Sequence, residues 1–239
     1  MIDWAINGVA RLAQEIDQSY SLKHHNLIGT LEQMRDNHSV SWFRTFAGRL
    51  AYTVNRHPQE DWHIALSEFQ LLSKFRSQAL LNEYCTPGAD VSYQGSWLGL
   101  GPLMMLTQNP TLTVTGYDLD GPANYVSNKL CNAPEWKYNA LLADITSPVI
   151  TKQDHFNIYV NLITEHLIDV KLWRQHLPAG KIVLASNCDL PESDHISTCS
   201  SMLEFLDQLG VILPMATDTV TCYRADGSAM NRWIVLFST

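Results

Sequence analysis

Two hydrophobic patterns divide the chain. Before about residue 85, apolar residues recur at intervals of three and four, as on one face of an α-helix. One stripe consists of Ile6, Val9, Leu12 and Ile16, and a second of Leu66, Phe69, Leu72, Phe75 and Leu80. Pro58 should interrupt this part, because proline removes a backbone donor and restricts the preceding residue, His57. The pattern predicts several helices.

After the turn signal Thr86-Pro87-Gly88, short β-rich runs alternate with helical ones. Such alternation is typical of a parallel sheet whose strands are joined by crossover helices. Strands are expected at 91–95, 112–118, 138–143, 156–162, 181–186, 220–224 and 232–237. Helices are expected at 100–107, 122–130, 168–176 and 200–209. The chain is therefore predicted to hold an α/β domain over residues 73–239 and a helical extension over residues 1–72.

The last two expected strands are separated only by residues 225–231. Parallel strands need a crossover of a dozen residues or more, so these two should form an antiparallel hairpin. Five strands joined by crossovers and closed by an antiparallel hairpin give a seven-stranded, Rossmann-like sheet. Helices on both faces would complete a three-layer α/β/α sandwich.

Composition and charge exclude several classes of protein. The 239 residues are 46% hydrophobic and 17% charged, which is typical of a globular protein with a sizeable core. The formal net charge is -8 and lysines and arginines form no run, so nucleic-acid binding is disfavoured. No apolar stretch approaches the roughly 20 residues that span a bilayer, and no signal-peptide pattern begins the chain. A cytoplasmic protein without a membrane partner is expected.

Candidate metal ligands are scattered along the sequence. The cysteines include no CxxC pair, which is typical of reduced thiols; they are Cys85, Cys131, Cys188, Cys199 and Cys222. The pair His24-His25 has no cysteine or carboxylate at metal-ligand spacing. No metal is predicted, and these patterns do not indicate an oligomeric state.

The strongest local motif is a glycine-rich turn between the first expected strand and the helix after it. Its glycines are Gly95, Gly99 and Gly101, with Trp97 among them. Glycines let the backbone come close to a ligand, while the N–H groups of the helix start point toward it. Such a turn is also common for structural reasons alone, so the motif acquires meaning from the residues that follow.

Acidic residues end the next two expected strands. Asp118 follows the turn by about 20 residues, where a carboxylate can accept hydrogen bonds from both hydroxyls of a ribose. Asp144 can accept from an adenine amino group while Ile145 covers the ring. A turn or helix-capping role is the alternative for both aspartates. Since the carboxyl ends of parallel strands meet at one edge of a sheet, these segments should converge on one crevice.

The fourth expected strand brings further polar groups to the same edge. Asn161, Thr164, Glu165 and His166 would emerge beside the crevice. His166 is a candidate general base, and Glu165 could orient it or a substrate amine. The alternative is that Thr164 caps a helix with Glu165 in its first turn.

Together these residues resemble class I S-adenosylmethionine (SAM)-dependent methyltransferases over roughly residues 73–239. They are similar in particular to methyltransferase-like proteins of tailed bacteriophages. In that group a Gly-Gly-Trp-Tyr-Gly turn corresponds to residues 95–99, and a strand ending in Asn-x-x-x-Glu-His corresponds to residues 161–166. A Ser-Asn segment followed by histidine corresponds to Ser186, Asn187 and His195, although a plain surface loop is an alternative for His195.

The resemblance implies that SAM is the cofactor but does not supply the methyl acceptor, which is expected to be a small molecule or a protein. It implies catalytic roles for Glu165 and His166. The implied cofactor contacts are Gly95, Trp97, Gly99, Asp118, Leu119, Asp144, Ile145 and Asn161.

Two positions depart from the general methyltransferase pattern. That pattern has an acidic residue two before the first glycine and a glycine two after it, where this chain has Tyr93 and Trp97. This departure motivates a second hypothesis, in which the fold is kept as a binding or structural module. A weaker hypothesis is transfer of the aminobutyl chain of SAM, because residues 99–102 resemble the glycine-rich turn of nicotianamine-synthase-like enzymes.

Overall fold

The computed structural model describes residues 33, 34, 36, 39–223 and 227–239. The predicted stripe of Ile6, Val9, Leu12 and Ile16 and the pair His24-His25 lie outside the described residues. No helix within the described ranges is long and apolar enough to cross a bilayer.

Helices precede the sheet, as the apolar spacing predicts. They are α1 (Val40–Arg56), α2 (Trp62–Ala65), α3 (Glu68–Leu81) and a 3-10 turn (Asn82–Tyr84). Helix α1 begins where the Ser39 hydroxyl accepts a hydrogen bond from the Trp42 N–H, and it ends directly before the predicted His57-Pro58 break. The expected domain boundary between residues 72 and 73 falls inside α3 and stays a prediction.

The described residues form one seven-stranded sheet with the strand order β3-β2-β1-β4-β5-β7-β6. Strands β1 to β5 pair in parallel, whereas β7 pairs antiparallel with both β5 and β6. The predicted fold class and closing hairpin are confirmed. The strands are β1 (Asp90–Gln94), β2 (Thr113–Asp118), β3 (Lys137–Leu142), β4 (Ile158–Asn161), β5 (Ile182–Cys188), β6 (Ala216–Tyr223) and β7 (Ala229–Ser238).

Each of the four predicted crossover helices is present. They are α4 (Leu100–Gln108), α5 (Gly121–Leu130), α7 (Val170–His176) and α8 (Met202–Leu209). A further four-residue helix, α6 (Pro148–Thr151), was not predicted. Its Ser147 cap and the proline at its first position explain why it forms, but so short a helix leaves no periodic apolar signal.

Side chains of the strands alternate between two hydrophobic layers. In β7, Ile234 and Leu236 belong to the layer that contains α1, α3, α4 and α5, while Trp233, Val235 and Phe237 belong to the opposite layer with α7 and α8. This period of two is the strand signature that makes an α/β/α sandwich. By the same alternation Arg232 faces the first layer, where its guanidinium lies over the Phe69 ring of α3 at 5.0 Å.

The order of the strands positions the candidate site. The sheet grows in one direction from β1 to β3 and in the other from β4 to β5. In open α/β sheets, ligands bind in the crevice outside the carboxyl ends of the strands at this switch point. Gln94 of β1 and Asn161 of β4 are paired at that place.

Candidate functional site

The glycine-rich turn follows β1 directly. Gly95 and Gly99 both have left-handed backbone, with φ of 71° and 83°. The N–H groups of Gly95 and Ser96 donate to the carbonyl oxygen of Tyr117, at 2.8 and 3.1 Å, so the start of the turn is tied to β2. Gly99 then caps α4. The turn is therefore held against the carboxyl end of β2, as the motif predicts.

Trp97 lies within this turn in an unusual conformation. Its φ is 42°, and among the described residues it is the one non-glycine residue with positive φ. Left-handed backbone is disfavoured for a bulky side chain and persists where the surroundings impose it. Here the Trp97 N–H donates to Asp118 Oδ2 at 2.7 Å, a charge-assisted hydrogen bond that holds the turn in place.

Asp118 stands at the carboxyl end of β2, as predicted. Its second oxygen, Oδ1, accepts from the backbone N–H of Asp120 at 3.0 Å. A carboxylate has about four acceptor positions, so both oxygens keep the capacity for ribose hydroxyls. Helix capping is the role of Asp120, whose Oδ1 accepts from the Ala123 N–H at 2.9 Å. Asp118 thus stabilises the turn without capping α5, and Leu119 beside it is exposed.

Protein side chains fill part of the space around the turn. A Cβ at Gly95 would lie 2.1 Å from Ile163 Cδ1, and a Cβ at Gly101 would lie 1.8 Å from the Tyr93 hydroxyl oxygen. Tyr93 is buried, burial raises its pKa, and its hydroxyl has no hydrogen-bond partner among the described residues. The position where the general methyltransferase pattern has a carboxylate is therefore occupied by a neutral ring that packs on the start of α4.

Asp144 and Ile145 lie just after β3. Asp144 Oδ1 accepts from the Thr146 N–H at 2.8 Å and from the Thr146 hydroxyl at 2.7 Å. This is the turn geometry that the sequence left open as an alternative. Asp144 is exposed, whereas the Ile145 side chain is buried in the layer that contains α7 and α8. Asp144 can still reach a ligand through Oδ2, while Ile145 contributes to the core.

Asn161 ends β4 at the centre of the carboxyl edge. It is fully buried, and its Oδ1 accepts from the backbone N–H of Ile163 at 3.1 Å. Its Nδ2 has no hydrogen-bond partner among the described residues. A buried donor without a partner is costly, so this amide is a candidate donor to a ligand acceptor group such as a carboxylate.

Glu165 is the centre of a buried ion pair. Its Oε1 accepts from Arg232 Nη2 at 2.9 Å, and both side chains are almost fully buried. Arg232 Nη1 also donates to the Leu162 carbonyl oxygen at 2.5 Å. The backbone oxygen of Glu165 accepts from the N–H groups of Ile196 and Ser197. Glu165 therefore joins the loops after β4 and β5, and its carboxylate is committed to Arg232.

Sequence reasoning missed Arg232 and Lys74. Arg232 precedes an apolar run in β7, and an arginine within a buried strand is a signal for a buried pair. Lys74 on α3 donates to Gln70 Oε1 at 2.5 Å. Burial and the positive charge of Arg232 lower the pKa of Lys74 to about 7, against the opposing effect of Glu165.

His166 pairs with a carboxylate that the sequence analysis did not select. Its Nδ1 lies 3.3 Å from Asp194 Oδ2, and its side chain is 32% exposed. The predicted orienting residue, Glu165, is instead engaged by Arg232. Thr164 does not cap the 3-10 turn Thr164–His166; its hydroxyl donates to the Ser186 carbonyl oxygen at 2.7 Å.

His195 packs against His166, with their rings edge to face at 4.7 Å between centroids. The His195 Nδ1 lies 2.6 Å from the Leu190 carbonyl oxygen and 3.8 Å from Cys188 Sγ. Burial raises the pKa of the Cys188 thiol to about 12, and this thiol donates to Glu165 Oε1 at 3.5 Å. The loops after β4 and β5 therefore contact each other beyond the carboxyl ends of these strands.

These loops also bring together metal-ligand types. One ligand atom each of Glu165, Cys188 and His195 lie within 4.8 Å of one another, and the same holds for His166, Asp194 and His195. In the first group, Arg232 already supplies the positive charge beside Glu165, and the thiol is protonated. Glu165 Oε1 is engaged by this ion pair and by the thiol, whereas its Oε2 has no hydrogen-bond partner among the described residues. Asn187, which belongs to the Ser-Asn segment of the resemblance, donates through Nδ2 to the Ser197 carbonyl oxygen at 2.8 Å.

Comparison with known proteins shows the fold and no family. No protein-family model and no curated protein matches the sequence. Geranyl diphosphate C-methyltransferase from Streptomyces coelicolor A3(2), in complex with Mg²⁺, geranyl diphosphate and S-adenosyl-L-homocysteine, is 11% identical with a TM-score of 0.55. The match covers 74% of this chain and 83% of that chain.

Two further solved structures are similar. A geranyl diphosphate methyltransferase in complex with GPP and sinefungin has a TM-score of 0.54 at 12% identity, over 72% of this chain and 81% of that chain. TehB from Haemophilus influenzae has a TM-score of 0.53 at 14% identity, over 69% of this chain and 61% of that chain. With its strand order and closing hairpin, the chain has the Rossmann-like fold of class I methyltransferases.

Proposed function

We propose that the protein is a SAM-dependent methyltransferase whose cofactor lies along the carboxyl edge of β1, β2 and β4. The observation that carries the proposal is the Asp118 carboxylate, which ends β2 next to a glycine-rich turn and fixes that turn through Trp97. Two of the similar structures contain S-adenosyl-L-homocysteine or sinefungin, which supports the choice of cofactor.

The residues of this edge are suited to the parts of SAM. Asp118 would accept the ribose hydroxyls, with Leu119 exposed beside it. The unpartnered Nδ2 of Asn161 would donate to the carboxylate of the methionine part. Asp144 would receive the adenine amino group. SAM supplies a methyl group already activated by its sulfonium, so the protein has to bind, orient and deprotonate the acceptor.

His166 is the residue proposed to take the acceptor's proton. Asp194 lies against its Nδ1, a contact that orients the ring and leaves Nε2 for proton transfer. Glu165 is proposed to act as a positioning residue, because its carboxylate is buried against Arg232 while its backbone holds the loop after β5. The acceptor is a small molecule or a protein in this proposal.

Mass spectrometry of small molecules released from the purified protein tests the proposal. Bound SAM or S-adenosyl-L-homocysteine would support it. Methylthioadenosine as the product would instead indicate transfer of the aminobutyl chain. A protein that releases neither, and that binds no SAM when SAM is added, would contradict the proposal.

A second candidate function is favoured by the crowded turn. Tyr93 and Trp97 replace the carboxylate and the glycine of the general methyltransferase pattern, and Ile163 packs against Gly95. The resemblance to tailed-phage proteins motivates a role within a phage particle or against a host protein. In this alternative the fold is retained as a binding or structural module. A stoichiometric protein partner together with an empty cofactor crevice would support it.

A further inference from the structure

A groove runs between α1 and α5, on the layer that contains both helices. Its volume is about 850 Å³, and its lining includes Arg49, Tyr52, Arg56 and His57 of α1 and its cap, with Tyr125 and Lys129 of α5. The volume is within the range of about 300 to 1,000 Å³ that ligand sites occupy. Tyr125 lies four residues after the start of α5, about 6 Å along the axis from the cofactor edge.

The groove is positively charged although the chain as a whole is acidic. Its lining includes three permanent cations, and no carboxylate is among the described residues that line it. Arg49 is held in place, because its Nε and Nη2 donate to the carbonyl oxygens of Leu130 and Lys129 at the end of α5. Within the part of the chain that the structure describes, neither Arg56 nor Lys129 forms a salt bridge.

Two tyrosine rings lie beside these cations and remain open to solvent. Tyr52 is 57% exposed and Tyr125 is 56% exposed. Arg56 lies over the Tyr52 ring at 4.4 Å, and Lys129 lies over the Tyr125 ring at 5.1 Å. His57 contacts the edge of Tyr125. The groove therefore pairs aromatic rings with cations on both of its walls.

We propose that this groove binds the phosphate and the base of a nucleotide, either free or as part of a single strand. Guanidinium and ammonium groups bind phosphate oxygens, and exposed tyrosines provide stacking surfaces for bases. A carboxylate-rich ligand would contact only the cations, and a purely apolar ligand would contact only the tyrosine rings. The proposal concerns a second site, outside the cofactor crevice, and does not depend on SAM binding.

The net charge of -8 does not describe this surface. Electrostatic attraction at short range depends on the charges within about a Debye length, roughly 8 Å at physiological salt. The expectation from the sequence that nucleic acid is disfavoured rested on the whole-chain charge and the lack of a basic run. Lys129 is far in sequence from Arg49 and Arg56 of α1, and the packing of α1 on α5 brings the three cations to one groove.

Fluorescence anisotropy with a labelled short single-stranded RNA, and calorimetry with adenosine monophosphate, test the proposal. The Arg56→Ala/Lys129→Ala variant should bind about tenfold more weakly or worse. For the RNA, the slope of log affinity against log salt is negative and should become shallower by about 1.4, since each of the two lost phosphate contacts contributes about 0.7. Binding of RNA alone identifies a strand as the ligand, whereas binding of the mononucleotide identifies a free nucleotide; either result supports the proposal.

A second test uses a variant that keeps every charge of the groove and changes only its shape. A Cβ at Gly48 would meet no atom within 4 Å, so Gly48→Leu can fill the groove and should not destabilise α1. Gly48→Leu should also abolish binding. The matched control, Arg44→Ala/Lys171→Ala, removes two exposed positive charges outside the groove and should bind as the unmodified protein does. No binding of either probe at millimolar concentration, or equal losses in the control, would overturn the proposal.

Discussion

The backbone N–H of Trp97 and the carboxylate of Asp118 are joined by a hydrogen bond of 2.7 Å between N and Oδ2. Trp97 has a φ of 42°, so this bond holds a strained residue at the carboxyl edge of the sheet. The aspartate that the sequence selects as a ribose ligand is thus also the residue that shapes the glycine-rich turn. A substitution of Asp118 is therefore expected to affect the turn as well as the proposed cofactor binding.

The close approach of Gly95 to Ile163 is expected to make Gly95→Ala destabilising. The new Cβ would lie 2.1 Å from Ile163 Cδ1, and the φ of 71° adds backbone strain. We expect a loss of about 1 to 3 kcal/mol in the free energy of unfolding. Urea denaturation measures it.

The companion variant Ile163→Ala separates overlap from strain. In Gly95→Ala/Ile163→Ala the combined loss should be smaller than the sum of the single losses by about 1 kcal/mol. Gly88→Ala is the matched control, because Gly88 has a φ of 81° but a Cβ there would meet no atom within 4 Å. If the losses in the free energy of unfolding of Gly95→Ala and Ile163→Ala simply add in the double variant, the overlap between the two side chains has no energetic cost and the prediction is wrong.

The buried pair of Glu165 and Arg232 should respond strongly to loss of one partner. Arg232→Met leaves the Glu165 carboxylate buried without its cation, which is expected to cost about 3 to 5 kcal/mol. Glu165→Gln/Arg232→Met should recover part of this loss, because it leaves no charge behind. Equilibrium unfolding of the three proteins checks the order.

An exposed ion pair serves as the control for that measurement. Arg76 Nε lies 2.6 Å from Asp218 Oδ2, with the Arg76 side chain 44% exposed. Arg76→Met should cost about 1 kcal/mol or less, since surface ion pairs contribute little. Equal costs for Arg76→Met and Arg232→Met would contradict the distinction between the two pairs.

Because of Lys74, we expect the free energy of unfolding to rise with pH. Its pKa is lowered from 10.5 to about 7, so above pH 7 the folded state has lost a proton that the unfolded state still binds. The free energy of unfolding therefore increases as the pH rises above about 7. The buried thiols oppose this trend increasingly as the pH approaches about 9, because burial raises their pKa, to about 11 for Cys85, and the unfolded state loses their protons first.

The pH effect is best measured between pH 7.5 and 8.5, above the ordinary pKa of histidine, roughly 6.5. Urea midpoints of the unmodified protein should rise across this interval relative to those of Lys74→Met. Lys74→Met should therefore have the smaller slope against pH, and it should be the more stable protein at the lower pH. The control Lys171→Met replaces an exposed lysine and should keep the slope. A slope that Lys74→Met leaves unchanged would refute the assignment.

Much of the fold was predictable because it depends on local patterns. The switch from helical to alternating spacing located the strands, and the short 225–231 connection required the antiparallel hairpin that the structure confirms. The start of β6 at Ala216 was missed, since its exposed positions alternate with few buried apolar ones. Edge strands bury one face only weakly, so their apolar signal is faint.

The site was predictable only as far as it follows from strand ends. Asp118 and Asn161 could be selected because each ends a parallel strand. The partners of Glu165 and His166 could not, because Arg232 and Asp194 come from distant parts of the chain and reach them through packing. The groove lined by Arg56 and Lys129 could not be predicted from the sequence for the same reason.

The central claim is that Asp118 at the edge of β2 binds the ribose of SAM. Isothermal titration calorimetry of the unmodified protein, Asp118→Asn and Asp120→Asn with SAM tests it most directly. Asp120→Asn is the matched control, because asparagine also caps the start of a helix. We predict that the unmodified protein binds SAM saturably and that Asp118→Asn weakens this binding at least about tenfold, which corresponds to the loss of one charge-assisted hydrogen bond. Asp120→Asn should bind SAM as the unmodified protein does. No binding to the unmodified protein at millimolar SAM, or equal binding to all three proteins, would contradict the account.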